Sequence, residues 1–283
     1  MGYSTIKFEE NKLPELFKAF VSAFAENTVN FKPTIEEFRR RVFEKLNVEK
    51  SISELLIHDS DGVVGFMLHS TGIYNGVRTA YNGGMGIIPS HRGNKISQPM
   101  YENLFTEFRK QEINKVALEV ITTNKPAICL YESLGFRYKR QLKCFRLIDK
   151  IEPAQSKIEI KSSEVLKPDY HSFWSYQTTF LDSNNQLAHN LKNETILEGY
   201  LNGHLAGYII FQPTIGRISQ LAIHPESRGH GVGKLLILKA REKSLQKNLT
   251  VMNIPEEEES SIKALQKIGF KNEVDQYEME LII

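Results

Sequence analysis

Two short stretches of this 283-residue chain carry residue types whose order could do chemistry. The first runs Ile223-His224-Pro225-Glu226-Ser227-Arg228-Gly229-His230-Gly231-Val232-Gly233-Lys234. Glycine at 229, 231 and 233 removes the side chains that would hold a ligand away from the main chain. Where such a run opens a helix, successive backbone N–H groups face outward and form an anion site that suits a pyrophosphate. A tight strand-to-helix turn with no ligand would have the same composition. The spacing is neither the Walker loop, which needs Gly-Lys-Ser/Thr, nor the dinucleotide GxGxxG. The second stretch is Asn124-x-x-Ala127-x-x-x-Tyr131-x-x-x-Gly135-Phe136. Asn124 sits where its side chain can cap a helix. Tyr131 follows seven residues later, about two turns on and therefore on the same helix face. A tyrosine so placed is either a packed core aromatic or a proton donor.

Both stretches need a strand before them and a helix around them, and the hydrophobic pattern supplies both. In the first half, alternation marks a strand at Tyr3–Phe8. Apolar residues at helical spacing mark helices through Leu13, Leu16, Phe20 and Phe24, and through Ile35, Phe38, Val42 and Leu46. Thr34 with Glu37 reads as a capping box. Strands follow at Ser53–His58, Val63–Thr71 and Val77–Ile88, the last two joined by a turn at Asn75-Gly76. A helix at Ser97–Lys110, a strand at Val116–Ile121, a helix at Pro126–Leu134 and a strand at Arg137–Ile148 complete the half. The second half repeats the order. A strand at Lys157–Lys161 leads to helical material through Trp174 and beyond. A hairpin turns at Asn202-Gly203, then come strand Ile218–His224, helix Gly233–Leu245, strand Leu249–Asn253, helix Glu257–Ile268 and a closing strand.

Three anchors recur in one order. Val63-Val64-Gly65 answers to Leu205-Ala206-Gly207, Arg92-Gly93 to Arg228-Gly229, and Gly135-Phe136 to Gly269-Phe270. Their separations of 142, 136 and 134 residues drift only slightly, which argues for duplication of one domain. The expected domains are residues 1–150 and 151–283, joined near Asp149–Ser156, a polar stretch containing Pro153.

Arg228-x-x-Gly231-x-Gly233, after a proline and between an apolar strand and an apolar helix, resembles the coenzyme A signature of the GNAT acetyltransferase superfamily, Arg/Gln-x-x-Gly-x-Gly/Ala. The resemblance implies an α/β chain of two tandem GNAT-like domains, each a mixed central sheet with helices on both faces. It implies that Ala222 and Ile223 offer main-chain groups to the pantetheine arm. Arg228, Gly229, His230, Gly231, Val232 and Gly233 would then bind the pyrophosphate. The first-half counterpart covers Ile87, Ile88, Arg92, Gly93, Asn94, Lys95, Ile96 and Ser97, and puts Lys95 where the family has glycine. Lys95 either blocks the approach of the phosphates or sets an ammonium beside them. The Asn124–Phe136 stretch resembles the family's second motif, in which Tyr131 would protonate the departing thiolate and Asn124 would help hold the pantetheine. Counting back from Gly269 by the same intervals gives Leu265 and Glu258, so the second half lacks both residues.

The implied activity is transfer of an acetyl or short acyl group from acetyl-CoA, as co-substrate and without a metal, to a primary amine of a small molecule or peptide. Direct attack in a ternary complex is expected, with the first domain doing chemistry and the second binding coenzyme or serving as scaffold. Residues 11–47 and Ile73–Met85 would meet the acceptor. No motif locates the base; His91, His224 and Glu119 are its candidates. Two other readings stand beside this one. One is a non-catalytic coenzyme A-binding or scaffold protein. The other is an aminoacyl-tRNA-dependent transferase, which a net charge of only +2 and an intact Arg228–Gly233 loop disfavour.

Composition fits a globular protein, with 41% hydrophobic and 25% charged residues. Thirty-six basic against 34 acidic residues give no broad field for nucleic acid or an anionic membrane. No apolar run reaches the ~20 residues of a membrane span, and residues 1–10 lack a signal-peptide pattern, so a cytoplasmic location is expected. Cys129 and Cys144 show no metal-ligand spacing and read as reduced thiols.

Overall fold

The computed structural model describes residues 2–25, 33–149, 151 and 157–283. Most of the expected join lies outside these residues. The chain divides into two compact units, one made of Met1–Lys139 with Glu278–Ile283, the other of Arg140–Tyr277. The units therefore differ from the two halves of the sequence by one strand end each.

In the first unit, β1 (Tyr3–Lys7), β2 (Glu54–His58), β3 (Gly62–Tyr74), β4 (Val77–Ile87) and β5 (Lys115–Ile121) lie side by side in that order. Every pairing is antiparallel except β4 with β5, which is parallel, so the sheet is mixed. The turn at Asn75-Gly76 has φ of 55° and 75°, the type I′ geometry that matches strand twist. Helices cover both faces. Phe66 and Leu68 of β3 pack with Leu16 and Phe20 of α1 (Leu13–Ala23) and Phe38 of α2 (Ile35–Arg40). The next residue, His69, lies against Tyr101 and Phe108 of α3 (Ser97–Lys110) on the opposite face, as strand alternation requires. The capping box forms: Glu37 N–H donates to Thr34 Oγ1 at 3.2 Å, and Thr34 N–H donates to Glu37 Oε2 at 2.7 Å. The expected second helix changes winding, with a π turn over Arg41–Lys45. After β5 comes α4 (Lys125–Ser133), capped by Asn124, whose Oδ1 accepts from Ala127 N–H at 3.3 Å.

The second unit begins within β6 (Arg137–Leu147) because that strand pairs antiparallel with β11 (Thr250–Pro255), as in Phe145 with Val251. Its other strands are β7 (Glu159–Ser163), β8 (Thr195–Leu201), β9 (His204–Gln212) and β10 (Arg217–Ile223), in the order β7-β8-β9-β10-β11-β6. The last strand, β12 (Phe270–Ile282), begins beside β6. Its final residues belong to the first unit, where Lys115 Nζ meets Glu280 at 3.3 Å. Ile209 and Phe211 of β9 pack with Val232, Leu236 and Ile237 of α6 (Val232–Lys243). Tyr208 and Ile210, on the other face, pack with Tyr170, Phe173 and Leu187. The helical material expected after β7 is short, consisting of 3₁₀ turns at Pro168–Phe173 and Phe180–Asp182 and a seven-residue α5 (Asn184–Asn190). Pro168 and a polar run between the turns supply no helical stripe. The remaining helix is α7 (Glu259–Ile268). Among the described residues no helix is long and apolar enough to cross a membrane.

Candidate active site

The site of the second unit begins where two parallel strands part. β10 and β11 pair only at Arg217 with Thr250 and Ile218 with Val251. A bulge follows at once, since the register of β10 on β9 shifts between Ile218 and Gln220. A bulge bends its strand and ends local pairing. Beyond it, residues 219–223 and 251–254 form the two walls of a cavity of about 530 Å³. Arg228, Gly229, Gly231, Val232, Gly233 and Lys234 stand at its mouth. Trp174, Tyr176 and Tyr208 line it as well.

The mouth has the features of an anion cradle. Gly229 and Gly231 take φ of 82° and 84°, a region that resists any side chain, and a Cβ at either would meet open space. Gly231 is the N-cap of α6, whose first turn has no side-chain cap and no acidic residue. Its N–H groups and the positive end of the helix dipole are left for a ligand. Arg228 Nε donates to Ile223 O at 3.3 Å, and His230 Nδ1 donates to Arg228 O at 3.1 Å, which fixes the loop without filling it. Ala222 and Ile223, half-buried, lie on the wall just inside the mouth.

Polar groups are held in place deeper in. Asp182, buried, pairs with Arg217 at 2.5 Å, and Gln220 Nε2 donates to Asp182 O at 2.7 Å. Tyr208 donates its hydroxyl to Gln220 Oε1 at 2.9 Å and accepts from Trp174 Nε1 at 2.6 Å. Tyr176 packs against the apolar cluster that contains Leu265. Burial, reinforced by the carboxylates of Asp182 and Glu258, raises its phenol well above the ordinary tyrosine value. His224 packs edge-on against Phe173 at 5.1 Å.

The first unit repeats this backbone. β4 and β5 pair from Thr79 with Lys115 to Asn82 with Leu118 and no further, and the register of β3 on β4 shifts between Leu68 and His69. Arg92 Nε donates to Ile87 O at 3.0 Å, as Arg228 does to Ile223. Gly93 has φ of 80°, and Lys95 takes φ of 54° where the second unit has Gly231. Ile88 leads into this loop; Asn94 Nδ2 donates to Tyr3 Oη at 3.2 Å, and Ile96 is the N-cap of α3 without side-chain capping of Ser97 and its neighbours. The space between the parted strands contains polar groups bonded to one another. Asn82 Oδ1 accepts from Gly84 N–H at 3.1 Å, and Asn82 Nδ2 donates to Tyr101 Oη at 2.5 Å. Tyr131 is buried with its ring edge-on to that of Tyr101, centroids 6.3 Å apart, and burial pushes its phenol up to about 12. Tyr81 donates to Glu119, and His91 is engaged by Tyr3 and Asp61.

The structure thus keeps the first-half candidates Tyr131, Asn124, Glu119 and the loop from Ile87 to Ser97 in one unit, and Ala222, Ile223 and Arg228–Gly233 in the other. Sequence reasoning passed over Tyr176, Asp182 and Trp174, which arrive from irregular backbone with no periodicity to flag them. A sequence model of the acetyltransferase (GNAT) family matches residues 17–136 and 162–270. The crystal structure of a GCN5-related N-acetyltransferase from Sphaerobacter thermophilus has a TM-score of 0.73 at 13% identity, covering 99% of this chain and 95% of that one. A tandem GNAT protein from the clavulanic acid biosynthesis pathway gives a TM-score of 0.73 at 13% identity, covering 99% of this chain and 98% of that one. Comparison with curated protein sequences finds no match. At such identities the structural likeness shows the fold.

Proposed function

This chain belongs to the acetyltransferase (GNAT) family, and we propose that its second unit transfers an acetyl group from acetyl-CoA to the primary amine of a small molecule or peptide. One observation carries the reading. The slot between β10 and β11 ends at the glycine mouth, so one continuous cavity offers a wall of main chain and, at its rim, free helix amides. A diphosphate joined to a long narrow thiol arm has that shape and charge order. Arg228 and Lys234 add positive charge where the diphosphate would rest.

The chemistry requires one proton to leave nitrogen and one to reach sulfur. The neutral amine attacks the thioester carbon, a tetrahedral oxyanion forms, the nitrogen gives up its proton to solvent water, and the C–S bond breaks as the sulfur departs as thiolate. Because Leu265 stands where the first half has Tyr131, the acid must come from another element. We assign it to Tyr176, which lines the cavity and packs against the cluster containing Leu265. Its position on the cavity wall carries the assignment; the phenol is protonated at neutral pH, as a tyrosine ordinarily is. Tyr131 receives a packing role in this assignment.

Calorimetric titration of acetyl-CoA tests the reading. The wild type should bind one equivalent per chain. Gly231→Glu should lose at least ~30-fold in affinity, from roughly 2 kcal/mol of left-handed strain and like-charge repulsion at the mouth. Lys95→Glu should bind as wild type does. Undiminished binding by Gly231→Glu would overturn the assignment. Coenzyme binding without acetylation of a broad amine panel would favour a coenzyme-binding protein over an enzyme.

A further inference from the structure

We infer that His58, Asp61 and His91 of the first unit form a binding site for one divalent transition-metal ion of the zinc class. Asp61 Oδ2 lies 2.9 Å from His91 Nε2 and 3.3 Å from His58 Nδ1, and the three ligand atoms all fall within 4.8 Å of one another. Ligands on a tetrahedral ion with bonds of about 2.0–2.1 Å stand about 3.3 Å apart, so the ion fits with small shifts of the rings. Two imidazoles and a carboxylate suit zinc, cobalt, nickel or copper better than calcium or magnesium, which take oxygen ligands. Both histidines are buried, whereas the Asp61 side chain is 49% exposed, which leaves a coordination position open to water.

The surrounding hydrogen bonds are compatible with a bound ion. Asn94 Nδ2 donates to Tyr3 Oη at 3.2 Å, and Tyr3 Oη lies 2.9 Å from His91 Nδ1. If His91 carries its proton on Nδ1, Tyr3 accepts it, and the Nε2 lone pair is turned on the carboxylate. Two acceptors at that distance repel unless a cation sits between them. Ser60 poses the same problem from the other side. Its hydroxyl donates to Asp61 Oδ1 at 2.9 Å, so it presents only lone pairs to His58 Nδ1 at 3.2 Å. Without metal, N–H groups on His58 Nδ1 and His91 Nε2 must fill these gaps. With metal, each neutral ring shifts its proton to the other nitrogen and the ion takes the place of both. Tyr3 then acts as the outer partner that fixes the ring of a ligating histidine.

The three ligands come from the end of β2, the β2–β3 turn and the loop before α3, so linear spacing did not reveal them. The corresponding positions of the second unit are Tyr200, Gly203 and Ser227, none of which could complete such a site. The ion would pin the first unit's loop to its neighbouring hairpin, while the second unit's loop stays free for its ligand.

Cobalt(II) titration of the full chain, stripped beforehand with a chelator, tests this. Wild type should take up one equivalent, with the visible bands of four-coordinate cobalt, and zinc should displace it and raise the melting temperature. His58→Gln, Asp61→Asn and His91→Gln should each weaken binding more than ~10-fold, and Tyr3→Phe by about 10–100-fold. Asp61→Asn keeps the shape of the cluster, and its metal-free melting curve reports whether folding survives. Absence of saturable uptake by wild type would sink the proposal. Uptake retained by both a folded Asp61→Asn and His91→Gln would do so as well, since the ion would then sit elsewhere.

Discussion

The two units share a backbone device and differ in what surrounds it. In each, a strand bulges just after its last pairing with the parallel neighbour, at Gly83 in the first and Ser219 in the second. In each, an arginine guanidinium reaches back to the carbonyl five residues earlier. In the first unit the opening holds Asn82 hydrogen-bonded to Tyr101, whose ring meets that of Tyr131, and the loop carries Lys95 in a left-handed conformation. In the second, Ile218 replaces Asn82, and glycines leave the mouth bare. Strand parting is therefore a property of sheet pairing and survives loss of the side chains that would use it. At the point of divergence the first unit has Asn82 where the second has Ile218, and at the helix mouth it has Lys95 where the second has Gly231.

The largest expected effect sets the two tyrosines against each other. Tyr176→Phe should lower kcat by ~100-fold or more with little change in KM, because general acid help to a leaving thiolate contributes roughly 10²–10⁴. Tyr131→Phe should leave kcat within about twofold, since Tyr131 is buried in the unit to which no chemistry is assigned. Steady-state kinetics on an accepted amine measures both. The reverse result would move the chemistry to the first unit.

A smaller effect concerns the two strand positions opposite Asn82 and Ile218, which are His69 and Phe211. Burial pushes the His69 imidazole down from 6.5 to about 3. An imidazole harder to charge when folded makes the unfolded chain bind more protons as acid is added. Stability is complete above about 6.5 and falls as pH is lowered from there toward 3. The loss approaches ~1.4 kcal/mol per pH unit. Urea denaturation at two pH values should show that slope in wild type and a smaller one in His69→Phe. Equal slopes would show that this ring is not what distinguishes the acid behaviour of the unit.

Much of this was legible in the sequence where one residue type forces one conformation. Asn75-Gly76 and Asn202-Gly203 gave both hairpins, Thr34 with Glu37 gave a helix start, and the boundaries of α3 fell at the expected residues. The glycine loop declared its shape for the same reason. The compact units were harder to see, because β6 is defined by pairing with β11, more than a hundred residues away, and no local pattern records a partner. Tyr176 was hidden differently. It stands on irregular chain between 3₁₀ turns, where neither a period of two nor one of 3.6 assigns a face. Tyr131 was found by spacing, yet spacing fixes only the helix face and says nothing of the Tyr101 ring that meets it there.

The smallest effect tests whether the first unit's slot is closed by its loop or by its plug. Lys95 at φ of 54° bears a left-handed conformation that costs an L-residue about 1–2 kcal/mol, partly offset by the greater freedom glycine loses on folding. Lys95→Gly should therefore raise stability by up to ~1 kcal/mol, seen as a small rise in melting temperature. It should not add a second equivalent of acetyl-CoA, since Asn82 still holds the Gly84 amide and still bonds Tyr101 where the strands part. A second equivalent in Lys95→Gly would mean that one left-handed side chain alone had shut the slot. If only Lys95→Gly combined with Asn82→Ile gains that equivalent, the polar plug at the divergence point is what separates the two units.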